Sequence, residues 1–176
     1  MGHSDIPTND FITLLSTARV DTLVDVRSSP YSRFAPQFNR ENLIRSLQAA
    51  SITYIYMGGQ LGGFPKDAPV YRGKHPDYDL LRKQAFYLEG LTRLIETSAT
   101  CTLAVMCSEE DPASCHRRNL IGFDLHERGV KVIHLRHDNS ANEDTFKDKA
   151  LMQLSRFSDC VTIKNQPPPS KAGGCG

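Results

Sequence analysis

Short β-branched runs alternate with longer segments of helical apolar spacing along most of this chain, and that alternation restricts the fold more than any other feature. Thr22-Leu23-Val24-Asp25-Val26, Ile52-Thr53-Tyr54-Ile55-Tyr56, Thr102-Leu103-Ala104-Val105-Met106 and Val130 to Leu135 are the strand-like runs. Between them, Leu43, Ile44 and Leu47 in 39–50, and Leu80, Leu81, Phe86, Leu88, Leu91, Leu94 and Ile95 in 79–97, repeat at the spacing of one helix face. A further helix is expected over 119–128, and another before the first strand, where Phe11, Ile12, Leu14, Leu15 and Ala18 share a side. Strands buried on both faces read as near-continuous apolar runs, and strand-helix alternation of this kind builds parallel sheets. The expectation is a single α/β domain over 1–165, a three-layer, open, mostly parallel β-sheet with helices on both faces.

The remaining stretches read differently. The segment 58–76 is rich in Gly and Pro and is expected to be a long irregular loop. Beyond His137 one helix is expected over 143–157, then an apolar segment at Val161-Thr162-Ile163, and 166–176 reads as a flexible Pro/Gly-rich tail.

Composition narrows the partners. With 21 basic and 20 acidic side chains the formal charge is +1, so no global field draws the molecule to nucleic acid or an anionic membrane. No run approaches the ~20 apolar residues of a membrane span, and no signal-peptide layout opens the chain, which predicts a cytoplasmic location. The five cysteines lack the dense spacing of a secreted scaffold and read as reduced thiols.

In parallel sheets, ligands bind beyond the carboxyl ends of the strands, where loops meet and helix N-termini point outward. Here the first strand delivers Asp25, Arg27 and, further on, Arg33 to that edge. The third delivers Cys107 and Glu109, and its loop brings Cys115, His116 and Arg117 to a helix start. A thiol beside arginine or at a helix N-terminus has its anion stabilised and becomes nucleophilic. Glu109, Glu110 and Asp111 act against this unless they point away. The candidate site is Cys107, Cys115, His116 and Glu109 for chemistry. Arg27, Arg33, Asp25, Arg117 and the backbone at Gly62 and Gly63 would bind a small anionic or carbonyl-containing molecule. A cysteine serves as nucleophile or ligand and His116 shuttles protons.

Two other functions fit the same residues. Cys107, Cys115 and His116 offer three metal or haem ligands for redox chemistry, with His3 or His134 as a fourth, although their spacing matches no standard zinc pattern. Arg27, Arg33, Arg40, Arg45, Arg72 and Lys74, interleaved with Tyr31, Phe34, Phe38 and Tyr71, suit phosphates and stacked bases, as in a nucleotide or nucleic-acid binding module.

Gly2-His3-Ser4, Asp25-Val26-Arg27 with Pro30, Ser32 and Arg33, Leu61-Gly62-Gly63, and Cys107-x-Glu109-x-x-Pro112-x-x-Cys115-His116-Arg117 together resemble the bacterial domain-of-unknown-function family 488. The likeness runs from Gly2 to about Leu135, and it implies that His3 and Ser4 belong to the site. Members of that family carry a short strand before Gly-His-Ser, where this chain has only Met1, so a shortened edge strand is expected. A fainter likeness is to rhodanese domains, in which a strand ending in Asp-Val-Arg precedes one ending in the catalytic cysteine. Cys107 holds the matching position, but its acidic loop is unlike a cationic persulfide cradle.

Overall fold

A computed structural model describes residues 1–66 and 69–146, and the backbone of 161–164. Helix α1 (Thr8–Thr17) leads into β1 (Thr22–Asp25), and a 3-10 turn at Pro36–Phe38 leads into α2 (Arg40–Ala49) and β2 (Thr53–Tyr56). Next come α3 (Gly58–Leu61), β3 (Tyr71–Arg72), β4 (His75–Pro76), α4 (Tyr78–Leu81), α5 (Ala85–Ser98) and β5 (Leu103–Met106). A 3-10 turn at Pro112–Ser114 and a π-helical turn at Arg117–Gly122 precede α6 (Phe123–His126), β6 (Lys131–Leu135), β7 (Ala141–Glu143) and β8 (Val161–Lys164).

The fold is mixed α/β. Six strands form one sheet in the order β2-β1-β5-β8-β6-β7. Strand β1 pairs in parallel with β2 and β5, setting Val24 beside Ile55 on one side and Val105 on the other. The expectation of a mostly parallel sheet is corrected at the other half. Strand β8 lies between β5 and β6 and runs against both, and β7 runs against β6. For β7 the cause is the tight turn over 136–140, closed by the Arg136 N–H donating to the Ser140 carbonyl at 2.9 Å, because so short a connection can only reverse the chain.

Alternate residues of the central strands feed two apolar clusters. Val24, Val26, Leu103, Val105 and Cys107 pack with Tyr87, Leu91 and Leu94 of α5 and Leu125 of α6. Leu23, Ala104 and Met106 pack with Phe11 and Leu15 of α1 and Leu43 and Leu47 of α2. Each such buried aliphatic side chain stabilises the fold by roughly 1.5–3 kcal/mol.

Three further expectations are corrected. The helix expected over 79–97 is two helices, separated at 82–84, where Gln84 turns extended. Asp77 caps the first by accepting from the Asp79 and Leu80 N–H groups, and at its end the Arg82 side chain donates to Asp124 Oδ1 at 2.7 Å and to the Asn119 carbonyl at 2.9 Å. The segment 58–76 contains α3 and the β3/β4 hairpin, with Gly73 at φ +66° in the tight turn. Glu143, expected to begin a helix, ends β7 instead. Residues 144–146 are not helical either; 147–157, the tail over 166–176, Cys160 and Cys175 lie outside the described residues. Among the described residues no helix is long and apolar enough to cross a membrane.

Candidate functional site

The carboxyl end of β5 places Cys107, and the loop that follows returns the chain to it. Gly2 bridges in parallel to Cys107, with the His3 N–H donating to the Cys107 carbonyl at 3.1 Å and the Ser4 N–H to the Ser108 carbonyl at 2.6 Å. A Cβ at Gly2 would fall 1.6 Å from the Glu109 carbonyl oxygen, so no larger residue fits there. Asp111 caps the 3-10 turn by accepting from the Ala113 N–H, and Asn119 Nδ2 ties the turn by donating to the Ala113 carbonyl at 3.0 Å. The chain then enters the π-helical turn, a widened geometry frequent at functional sites, with Cys115 and His116 at its mouth.

Four donor groups converge here. His116 Nδ1 lies 3.7 Å from Cys107 Sγ and 3.7 Å from Cys115 Sγ. Glu109 Oε2 lies 3.0 Å from Cys107 Sγ and 3.6 Å from Cys115 Sγ. The Arg117 backbone N–H donates to Cys115 Sγ at 3.4 Å, while its guanidinium Nη1 donates to the Glu109 carbonyl at 2.8 Å. Both thiols, His116 and Arg117 are buried, and Glu109 is partly exposed. His116 Nε2 is buried without a hydrogen-bond partner among the described residues. Gly63 lies against the His116 ring, where a Cβ would come within 2.7 Å of Cγ.

The neighbours set distinct proton affinities. Burial pushes the Cys107 thiol well up, and its hydrogen bond with Cys115 and the adjacent negative charge add to this. For Cys115 burial acts in the same direction but is outweighed by the Cys107 hydrogen bond, the Arg117 guanidinium and the His116 imidazole, which together bring it well below the usual thiol range. His116 is drawn up despite burial by the Cys115 sulfur and Glu109. The acidic loop does not cancel this. Glu110 turns away to a two-pronged pair with Arg136 at 2.9 and 2.6 Å, Asp111 lies 3.8 Å from the same guanidinium, and Glu109 alone faces the thiols.

Asp25 and Arg27 form a separate, buried strut. Asp25 Oδ1 accepts from Arg27 Nε at 3.0 Å, and Oδ2 accepts from Arg27 Nη2 at 2.7 Å and from the Tyr54 hydroxyl at 2.9 Å. Arg27 also donates to the Phe38 carbonyl at 2.9 Å and pairs through Nη1 with His3 Nε2 at 3.0 Å. The expectation that Arg27 holds a ligand is therefore corrected, since its nitrogens are spent inside the protein. His3 as a fourth metal ligand is corrected too: its Nδ1 donates to the Ser4 carbonyl at 2.7 Å, and its ring stacks on Phe38. His134 is held by Asp144 at 2.9 Å and does not join the cluster of Cys107, Cys115 and His116.

Arg33 is exposed and has no ion-pair partner among the described residues. Ser4 adopts φ +43° and its hydroxyl donates to Asp5 Oδ1 at 3.2 Å. Gly62 backs onto Ser28, whose Oγ a Cβ would meet at 2.5 Å. Sequence reading missed Tyr78. It packs against the apolar cluster that contains Cys107 and Cys115, and burial, with the charges of Cys115, Cys107 and Glu109, raises its phenol. As one more tyrosine before a helix it carried no signal.

These observations define a mixed α/β protein with a buried sulfur and imidazole cluster, flanked by a partly exposed carboxylate, at the carboxyl end of a parallel strand. The chain belongs to the family described as Domain of unknown function DUF488, whose family model matches residues 7–123 and so spans β1, β5 and the whole Cys107-to-Arg117 segment. No curated protein and no solved structure matches it.

Proposed function

We propose that this chain is an enzyme-like domain that binds and acts on a small anionic or carbonyl-containing molecule at the Cys107, Glu109, Cys115 and His116 cluster. The observation that carries this reading is His116 Nε2, a buried polar atom with no hydrogen-bond partner among the described residues, on the ring whose Nδ1 faces the two sulfurs. Such a group costs about 1–3 kcal/mol unless something bonds to it, and an oxygen of a bound molecule meets that need. Arg117 contributes the positive charge that favours an anionic or polarised oxygen, and His116 moves the proton. The two clusters on alternate faces of β1 and β5 support a three-layer arrangement within one domain, and free thiols at Cys101, Cys107 and Cys115 suit a cytoplasmic setting. The order of Asp25-Val26-Arg27 and Cys107 supports a rhodanese-like arrangement, but Glu109 against the Cys107 sulfur argues against a persulfide there.

The test is a thermal-shift panel of small carboxylates, keto acids, aldehydes and phosphates. At a hundredfold excess over Kd a ligand adds ~2.7 kcal/mol, worth about 5–10 °C for a chain of this size. The shift should vanish in His116→Ala and Cys115→Ala. A panel with no stabilising member overturns the reading.

One observation favours binding of single-stranded nucleic acid. Phe34 is 91% exposed and Tyr31 54% exposed, next to the exposed Arg33 and Arg40, and aromatic faces beside guanidinium groups suit stacked bases and phosphates. Oligonucleotide affinity that falls steeply with salt and weakens in Phe34→Ala would support it; no binding at low salt excludes it.

A further inference from the structure

We propose that Cys107, Cys115 and His116 are the protein ligands of a thiophilic divalent metal ion of the zinc class, and that Glu109 fills the fourth position as a displaceable oxygen ligand. The inference rests on the reading of this cluster as the working site and decides that its sulfurs are ligands.

Size is the first argument. A tetrahedral ion with metal-sulfur bonds of ~2.3 Å and metal-nitrogen or metal-oxygen bonds of ~2.0–2.1 Å requires sulfur-to-nitrogen and sulfur-to-oxygen edges of about 3.6 Å. The two sulfur-to-Nδ1 distances are both 3.7 Å. The two sulfur-to-Oε2 distances are 3.0 and 3.6 Å. Only the first of these is short, and it belongs to a thiol that donates to the carboxylate. The two sulfurs and the imidazole nitrogen also lie within 4.8 Å of one another, so these three atoms face one point, and Glu109 Oε2 stands beside both sulfurs.

Charge is the second. Two thiolates and a carboxylate around a divalent ion leave one negative charge, which is costly to bury unless it is paired. Arg117 is fully buried at this spot, bonded to the Glu109 carbonyl and by its backbone to Cys115, and its guanidinium cancels that charge. Without an ion, two thiols share one carboxylate oxygen next to an imidazole, an arrangement that hydrogen bonding alone does not require.

The third argument explains His116. With Nδ1 on the metal, Nε2 necessarily carries the proton, and the buried unpartnered atom becomes a donor. It is then placed to hold an oxygen of an incoming anion or carbonyl. Glu109 is the hardest of the four donors and the most exposed, hence the one such an oxygen displaces. A three-ligand protein set with an exchangeable fourth position is the arrangement of catalytic rather than structural zinc sites.

The experiment uses the full chain, reduced and freed of metal by chelator, then titrated with Co2+ and assayed by elemental analysis after loading with Zn2+. Expected are about one ion per chain and a sulfur-to-cobalt charge-transfer band with tetrahedral ligand-field bands. The band should lose about half its intensity in Cys107→Ser and in Cys115→Ser, stay intact in Cys101→Ser, and persist with shifted ligand-field bands in Glu109→Gln. Absence of a charge-transfer band in the folded wild-type protein, or a band unchanged in both cysteine variants, overturns the proposal. A bound ion without any ligand from the small-molecule panel sinks the functional reading and leaves the metal site standing. A stabilising ligand on protein that takes up no cobalt does the reverse.

Discussion

Adding one methyl group at Gly63 tests whether the His116 ring must stay where it is. The new Cβ would stand 2.7 Å from His116 Cγ, 2.9 Å from Nδ1 and 3.0 Å from Cβ, whereas ordinary contact begins at 3.4 Å. The ring must therefore retreat by about 0.7 Å, and His116 is buried. Overpacking of this kind costs roughly 1–3 kcal/mol, or about 2–12 °C in Tm for a chain of this length. The metal ligand set tolerates only ~0.2 Å, so cobalt affinity should fall by at least ~10-fold, the lower bound for disturbing a ligand's orientation. Gly59→Ala is the matched control. It lies in α3 with nothing within 4 Å of its added Cβ, so the substitution should be neutral or stabilise by up to ~1 kcal/mol. Circular dichroism melts and cobalt titration of the two variants side by side provide the readout. A Gly63→Ala protein that melts and binds cobalt like wild type would refute the placement of His116.

Other expectations concern the supports around the site. Asp25→Asn removes the charge partner of a buried guanidinium and should cost about 3–5 kcal/mol by urea denaturation; a loss below 1 kcal/mol would show the strut to be dispensable. Tyr87→Phe removes the 2.6 Å hydrogen bond to Asp124 that joins α5 to α6 and should cost about 1.5–3 kcal/mol, read in the same assay. Burial, with Arg27 facing the ring and the more distant charges of Arg117 and His137, pushes His3 down to about 3 from 6.5, against the pull of the Ser4 carbonyl. Its neutral form is thus the folded form, and its contribution is complete above pH 6.5 and is lost as pH falls toward 3, at up to ~1.4 kcal/mol per pH unit. Urea midpoints of His3→Gln should lack this early acid step, and an identical pH profile for the variant counts against it.

Strands β1 and β5 were legible because burial of all four residues selects apolar, β-branched runs, and β2, which is only partly buried, because Tyr54, Ile55 and Tyr56 favour an extended strand. The direction of β8 was not, because Val161-Thr162-Ile163 reads the same whichever way it enters a sheet, and only its neighbours β5 and β6 decide. The break over 82–84 was hidden because the apolar period continues through 79–97, while the backbone turns extended at Gln84. Gly90 is where α5 lies against α3, with a Cβ meeting Gln60 Cβ at 2.7 Å. At the site, Cys107, Cys115, His116 and Arg117 were visible as a cluster in sequence because the return loop is short. Arg27 misled because its partner Asp25 looked like a second site residue, and nothing in a sequence tells an arginine that meets ligand from one that braces a strand.

Along β5 the pleat sends Leu103, Val105 and Cys107 to one side and Ala104 and Met106 to the other. The thiol is therefore the last tooth of a two-residue ratchet. Inserting or deleting one residue upstream within the strand would swing the sulfur across the sheet into the aromatic packing around Phe11 and Phe38, out of reach of His116. Substitutions in β5 can be absorbed one at a time, but a change in its length cannot, and the strand's count of residues is as much a part of the chemistry as the cysteine it ends on.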